Sequence, residues 1–127
     1  MKYMNWLGHY EFGLGHKQYV YGESHNSLDP TTLDYWLLCW HEAYEYALRT
    51  SPPDTVFLGY EQMCAAPLET FSRLYPILDI TSDPAIAADF YSKADIRDAQ
   101  GYDPELYKRC LATHAKLVER HITNTPA

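Results

Sequence analysis

The sequence predicts a mainly α fold, with four or five helices packed around one core and a single short strand near residues 55–60. Three observations carry that expectation. Apolar residues recur at helical spacing over several long stretches, three Asp-Pro pairs stand where helices open, and only one short run is rich in β-favouring residues. The 127 residues read as one domain, 1–127, with an irregular or partly helical segment over 1–30 and a helical core over 31–127. A chain of this length removes roughly two-thirds of its extended surface from water, so one core suffices.

Met4 to Leu7 is expected to be helical, and the spacing of Gly8, Gly13, Gly15 and Gly22 predicts irregular chain after it. Asp29-Pro30, Asp83-Pro84 and Asp103-Pro104 each pair a side-chain oxygen that accepts from first-turn N–H groups with a proline whose missing donor costs nothing there. The first long helix is expected over Thr32 to Arg49. Leu33, Trp36, Leu37, Trp40, Tyr44, Ala47 and Leu48 form its apolar face, and Asp34, His41, Glu42 and Glu45 form a solvated one. Each large apolar side chain buried there contributes about 1.5–3 kcal/mol. Ser51-Pro52-Pro53 ends the helix.

Thr55-Val56-Phe57-Leu58-Gly59-Tyr60 then reads as a strand covered on both faces, in need of a partner for its backbone. Pro67 to Leu78 is expected to be helical with Leu68, Phe71, Leu74 and Leu78 inward, its last turn loosened by Pro76. A shorter helix is expected over Pro84 to Ser92. A final one is expected from Pro104 to about His121, with Leu106, Tyr107, Cys110, Leu111, His114, Leu117 and Val118 inward.

Composition narrows the function. Three Trp, twelve Tyr and four Phe with 46% hydrophobic residues describe a folding chain. A net charge of −7 repels a phosphate backbone, so nucleic acid is not an expected partner. No run reaches the length of a membrane span and Met1 to Gly15 has no signal-peptide core, so a cytoplasmic location is expected. Cys39, Cys64 and Cys110 are odd in number and form no CxxC pair, as expected of reduced thiols. His9, Glu11, His16 and His25 offer zinc-type ligands at a spacing that fits no compact motif, and no metal site is assigned. His41 and Glu45 lie one helical turn apart, where a carboxylate raises imidazole basicity, but a solvated helix face is the simpler reading. No catalytic residue is assigned.

The order of a tryptophan-containing helix, the Ser-Pro-Pro turn, a strand ending in Tyr60-Glu61-Gln62-Met63, then Ala66-Pro67-Leu68-Glu69 opening a helix that closes at Leu78-Asp79-Ile80, resembles the C-terminal part of P-loop sulfotransferases. That family carries a Tyr-Glu-Asp-Leu-like motif and a Leu-Gly-Ile-like turn at these places. Gln62 and Met63 stand where the family has Asp and Leu. Gly101-Tyr102-Asp103-Pro104-Glu105-Leu106 and the helix after it are similar to the family's tail helix, and Trp6 to Gly13 is similar to the stretch before its tryptophan helix.

The resemblance implies a partial P-loop α/β fold and a link to sulfuryl transfer from 3′-phosphoadenosine 5′-phosphosulfate. The phosphate-cradling loop, the groups that grip the 3′-phosphate and the general base precede this region in the family, and these 127 residues contain no such loop. Gly8 to Gly22 lacks the preceding strand and the Lys or Arg with Ser/Thr that the loop needs.

One cofactor-binding position carries over. Tyr60 matches the tyrosine near the donor's adenine and offers a ring for stacking, while the plain alternative is a strand-end residue with a locally satisfied hydroxyl. The expectation is a sulfotransferase-like C-terminal fragment or remnant, inactive alone, whose donor binds only if a missing N-terminal half completes it. A second expectation is a small self-associating helical module, a homodimer formed through the edge of the 55–60 strand and nearby apolar surface. A third is an enzyme of unfamiliar type using His41 or His9. The sequence leaves open whether Met1 is the true start or the reading frame is truncated.

Overall fold

Thr32 opens the first helix, α1 (Leu33–Thr50), by accepting from the Tyr35 N–H at 3.4 Å. In the computed structural model, which describes residues 16, 17, 19, 21, 28–89 and 100–124, Asp29-Pro30 is not itself the cap. Asp29 accepts from the Thr31 N–H and hydroxyl, both at 2.8 Å, which tightens a turn before the helix. The expected helix over Met4 to Leu7, the glycine-spaced stretch and Trp6 to Gly13 lie outside the described residues, as do His9, Glu11, His25 and the expected end of the third helix at Ser92.

Four more helices follow among the described residues: α2 (Tyr60–Ala65), α3 (Pro67–Ile77), α4 (Pro84–Ala88) and α5 (Pro104–Glu119). The mainly helical expectation holds. Asp83 caps α4 by accepting from the Ala85 N–H at 2.9 Å, and Asp103 does the same for the Glu105 N–H of α5 at 2.8 Å.

The strand over 55–60 is replaced. Among the described residues, β pairing is limited to a parallel bridge between Phe57 and His121. The Phe57 N–H donates to the Arg120 carbonyl at 2.9 Å, and the Phe57 carbonyl accepts from the Ile122 N–H at 3.2 Å. Beyond Leu58 the β-favouring residues run out, extended Gly59 caps the next element, and Glu61, Gln62, Met63 and Ala65 favour helix. Tyr60 therefore opens α2 instead of ending a strand.

The chain forms two compact units. One lies within Met1–Ser51 and Ala99–Thr113, the other within Pro52–Asp98 and His114–Ala127. In the first, α1 packs on the start of α5, with Tyr35, Leu106, Cys110 and Thr113 buried. The Cys110 thiol donates to the Leu37 carbonyl at 3.4 Å, and the Asp103 N–H donates to Asp34 at 2.7 Å. The expected solvated face of α1 is turned inward here: His41, Glu42 and Glu45 are half-buried, whereas Tyr44 is exposed. Of the α5 positions expected inward, Tyr107 and Leu111 are exposed, because the contact stripe runs through Leu106, Cys110 and Thr113.

In the second unit, Cys64, Thr70, Phe71, His121 and Ile122 form the core. Leu68 and Leu78, expected inward, are more than half exposed. Thr70 takes a buried place by returning its hydroxyl proton to the Ala66 carbonyl at 2.9 Å, so its polar atom is satisfied within its own helix.

α3 ends in a Schellman turn: the Ile80 N–H donates to the Tyr75 carbonyl at 2.9 Å and the Asp79 N–H to the Pro76 carbonyl at 3.4 Å. That closure places Asp79 at φ 53, the one left-handed non-glycine among the described residues.

Candidate functional site

Tyr60, the one residue assigned to a cofactor by resemblance, sits at the first position of α2 with its side chain 53% exposed. Gly59 precedes it with an extended backbone, and a Cβ added there would meet the movable end of the Gln62 side chain. Tyr60 is partly exposed, and among the described residues no anion-holding loop accompanies it.

A second cluster joins α1 to α5. His41 Nδ1 lies 2.8 Å from the Thr113 hydroxyl, and that hydroxyl lies 2.7 Å from a Glu45 carboxylate oxygen and 3.2 Å from the Arg109 carbonyl. A threonine hydroxyl has one proton. The shorter contact to an ionised acceptor takes it, so Thr113 donates to Glu45 and accepts from the protonated Nδ1 of His41. Thr113 is fully buried. The His41 and Glu45 pairing weighed from the sequence is therefore real, but routed through a threonine that spacing along α1 does not reveal. Arg109 approaches Glu42 at 3.9 Å from a half-exposed position, a weak contribution. As chemistry, the cluster fixes the tautomer of His41; no nucleophile stands beside it among the described contacts.

The third feature was not anticipated. A cavity of about 500 Å³ in the first unit is lined by His16, Lys17, Tyr19, Tyr21, Trp36, Cys39, Trp40 and Ala43. The α1 stripe supplies Trp36, Cys39, Trp40 and Ala43 at successive helical turns, so the face expected to enter the core forms one wall of a cavity. Trp36 donates its indole N–H to the Pro30 carbonyl at 2.9 Å. Its ring lies 5.0 Å from the His16 ring, and Trp40 leans on Tyr44 with ring centres 4.7 Å apart.

His16 Nε2 pairs with the Tyr35 hydroxyl. Burial first, and Cys39 beside it second, push the Tyr35 hydroxyl up to about 12, so it stays protonated at neutral pH. Burial raises the Cys39 thiol as well, which makes it a poor nucleophile. The signal for the cavity, in retrospect, is the excess of tyrosine before α1: Tyr19 and Tyr21 have no helical pattern to explain them. No group of three metal-ligating side chains gathers among the described residues, and no helix among them is long and apolar enough to cross a membrane. No protein-family model, curated protein or solved structure matches this chain.

Proposed function

We propose that this chain is a sulfotransferase-like scaffold, the part that follows the phosphate loop, and that it transfers no sulfuryl group by itself. The observation that carries the reading is the close of α3. The resemblance puts a Leu-Gly-Ile-like turn at Leu78-Asp79-Ile80, and Asp79 has the left-handed backbone, φ 53, that a glycine adopts without strain. A sequence pattern and a backbone conformation thus agree at one residue. The proline-opened α3 accords with the Ala66-Pro67 punctuation, whereas Tyr60 opens α2 where the resemblance has a strand end.

In this reading Tyr60 stacks on the donor's adenine only when a phosphate loop holds the donor's other end. The purified chain is expected to transfer no sulfate from 3′-phosphoadenosine 5′-phosphosulfate, and calorimetry with 3′-phosphoadenosine 5′-phosphate is expected to show no binding at micromolar concentration. Transfer above background overturns the inactivity, and micromolar binding overturns the need for the loop. An in-frame Gly- and Ser/Thr-rich loop encoded immediately upstream would restore the enzyme reading.

A second reading, a self-associating module, is favoured by the segment around Phe57. Phe57 uses both its backbone groups toward residues 120–122, whereas Val56 and Leu58 make no backbone hydrogen bond among the described residues. That leaves an edge of the kind that pairs with another strand. Sedimentation at micromolar concentration is expected to show a dimer; a monomer counts against this reading.

A further inference from the structure

We infer, resting on the self-associating reading, that the open edge at Val56 and Leu58 is completed by the same edge of a second copy, running antiparallel about a twofold axis at Phe57. In an extended segment the backbone groups of successive residues point to opposite sides. Phe57 spends its N–H on the Arg120 carbonyl and its carbonyl on the Ile122 N–H, and the Thr55 carbonyl accepts from the Arg120 guanidinium on that same side. The N–H and carbonyl groups of Val56 and Leu58 therefore point the other way, where they make no backbone hydrogen bond among the described residues.

The sequence along this edge does nothing to prevent pairing. Charges and prolines are what keep an edge from adding a strand. Pro52, Pro53 and Asp54 come before it and Glu61 comes after it, already inside α2, whereas Val56, Phe57 and Leu58 carry neither device. Leu58 is 46% exposed, so its side chain has surface left to cover.

The register selects the occupant. With Val56 set opposite Leu58 of the second copy, the two residues exchange both of their hydrogen bonds, and the twofold axis repeats the exchange between Leu58 and Val56 of that copy. All the outward groups of both edges are then used. Phe57 meets its own counterpart at the unbonded position between, and on the other face each Leu58 side chain lies beside a Val56 side chain across the strands. An unrelated peptide makes the same bonds only by giving up the freedom of its chain. A second copy brings its edge already held extended by the bridge to His121.

The test is amide hydrogen exchange of the full chain, read residue by residue by NMR at concentrations below and above the dimerisation midpoint found by sedimentation. With about nine-tenths of the chain dimeric, the Val56 and Leu58 amides are expected to exchange about tenfold more slowly than in the monomer. Val56→Pro removes an outward donor that the described fold does not use, and is expected to weaken dimerisation about tenfold or more. Leu58→Lys alters no backbone group and is expected to do the same, which keeps the test decisive if the proline variant does not fold. A chain that stays monomeric sinks self-association and the edge pairing with it. A dimer in which both amides keep the monomer rate overturns the edge pairing alone and leaves association through another surface. Slow exchange of both amides already in the monomer assigns the edge to another segment of the same chain, and overturns the pairing as well.

Discussion

Asp79 carries more conformational cost than any other described residue outside glycine. A left-handed backbone is unfavourable for a side chain with a Cβ by roughly 1 kcal/mol, although aspartate tolerates it better than most. Asp79→Gly is therefore expected to raise unfolding free energy by about 0.5–1 kcal/mol in urea melts, with unchanged denaturant slope. If the variant is destabilised, the turn is not the one described. The need for a glycine-like residue was legible in the sequence only by resemblance, since helical periodicity places the end of α3 without specifying its turn.

His121 is the opposite case. It is 1% exposed, and its Nδ1 accepts from the Thr123 N–H at 3.3 Å and faces the Thr123 hydroxyl at 3.0 Å, which assigns its proton to Nε2. Burial lowers its pKa below the ordinary 6.5, against a smaller upward pull from Glu69. As pH falls below 6.5 the unfolded chain takes up a proton that the folded chain refuses. Stability from this group is thus complete above 6.5 and falls as pH drops toward the folded value. Urea midpoints are expected to decline between pH 7 and 5, and the decline should flatten in His121→Gln. Nothing in the sequence marks a histidine just past a helix end as core, because its burial depends on Phe57, 64 positions earlier.

At the scale of elements, the helices were legible because their periodicity and caps are local. α1, α3 and α5 begin within one residue of the positions expected. What the sequence hid is which face meets which. The polar side of α1 reads as solvated until α5 brings Thr113 against it, and the strand expected over 55–60 runs one residue into α2, because Val56-Phe57-Leu58 set the preference for Tyr60. Thr113→Val keeps the shape but removes both the acceptor of His41 Nδ1 and the donor to Glu45. It is expected to cost about 2 kcal/mol, while Thr113→Ser costs less than half of that, as read by thermal or urea unfolding. Equal losses would mean that the methyl group, not the hydroxyl, matters. Of the cavity, the sequence placed Trp36 and Trp40 on one apolar face of α1 but read that face as core; the other lining residues 16, 17, 19 and 21 lie in irregular chain, where spacing says nothing about direction.

For the whole molecule, the second unit leaves a notable amount of aliphatic surface to solvent. Leu58, Leu68, Ile77, Leu78, Ile80 and Ile86 are all exposed, with Ile86 at 62%. Exposed aliphatic residues taken singly are ordinary; these six are the surface that the proposed self-association would draw on. Leu58→Lys puts a charge on the open edge. It is expected to convert any dimer to monomer in sedimentation runs at micromolar protein without lowering the melting temperature of the monomer. A dimer that survives the change forms elsewhere.

Arg120 finally deserves to be read as a clasp in time as well as in space. Its guanidinium donates to the carbonyls of Pro52 and Thr55, each at 2.8 Å, and lies over the Phe57 ring at 4.9 Å. Those partners are made more than sixty residues earlier. During synthesis the 52–57 stretch stays unlatched until Arg120 has emerged, so these contacts form late relative to those within α1.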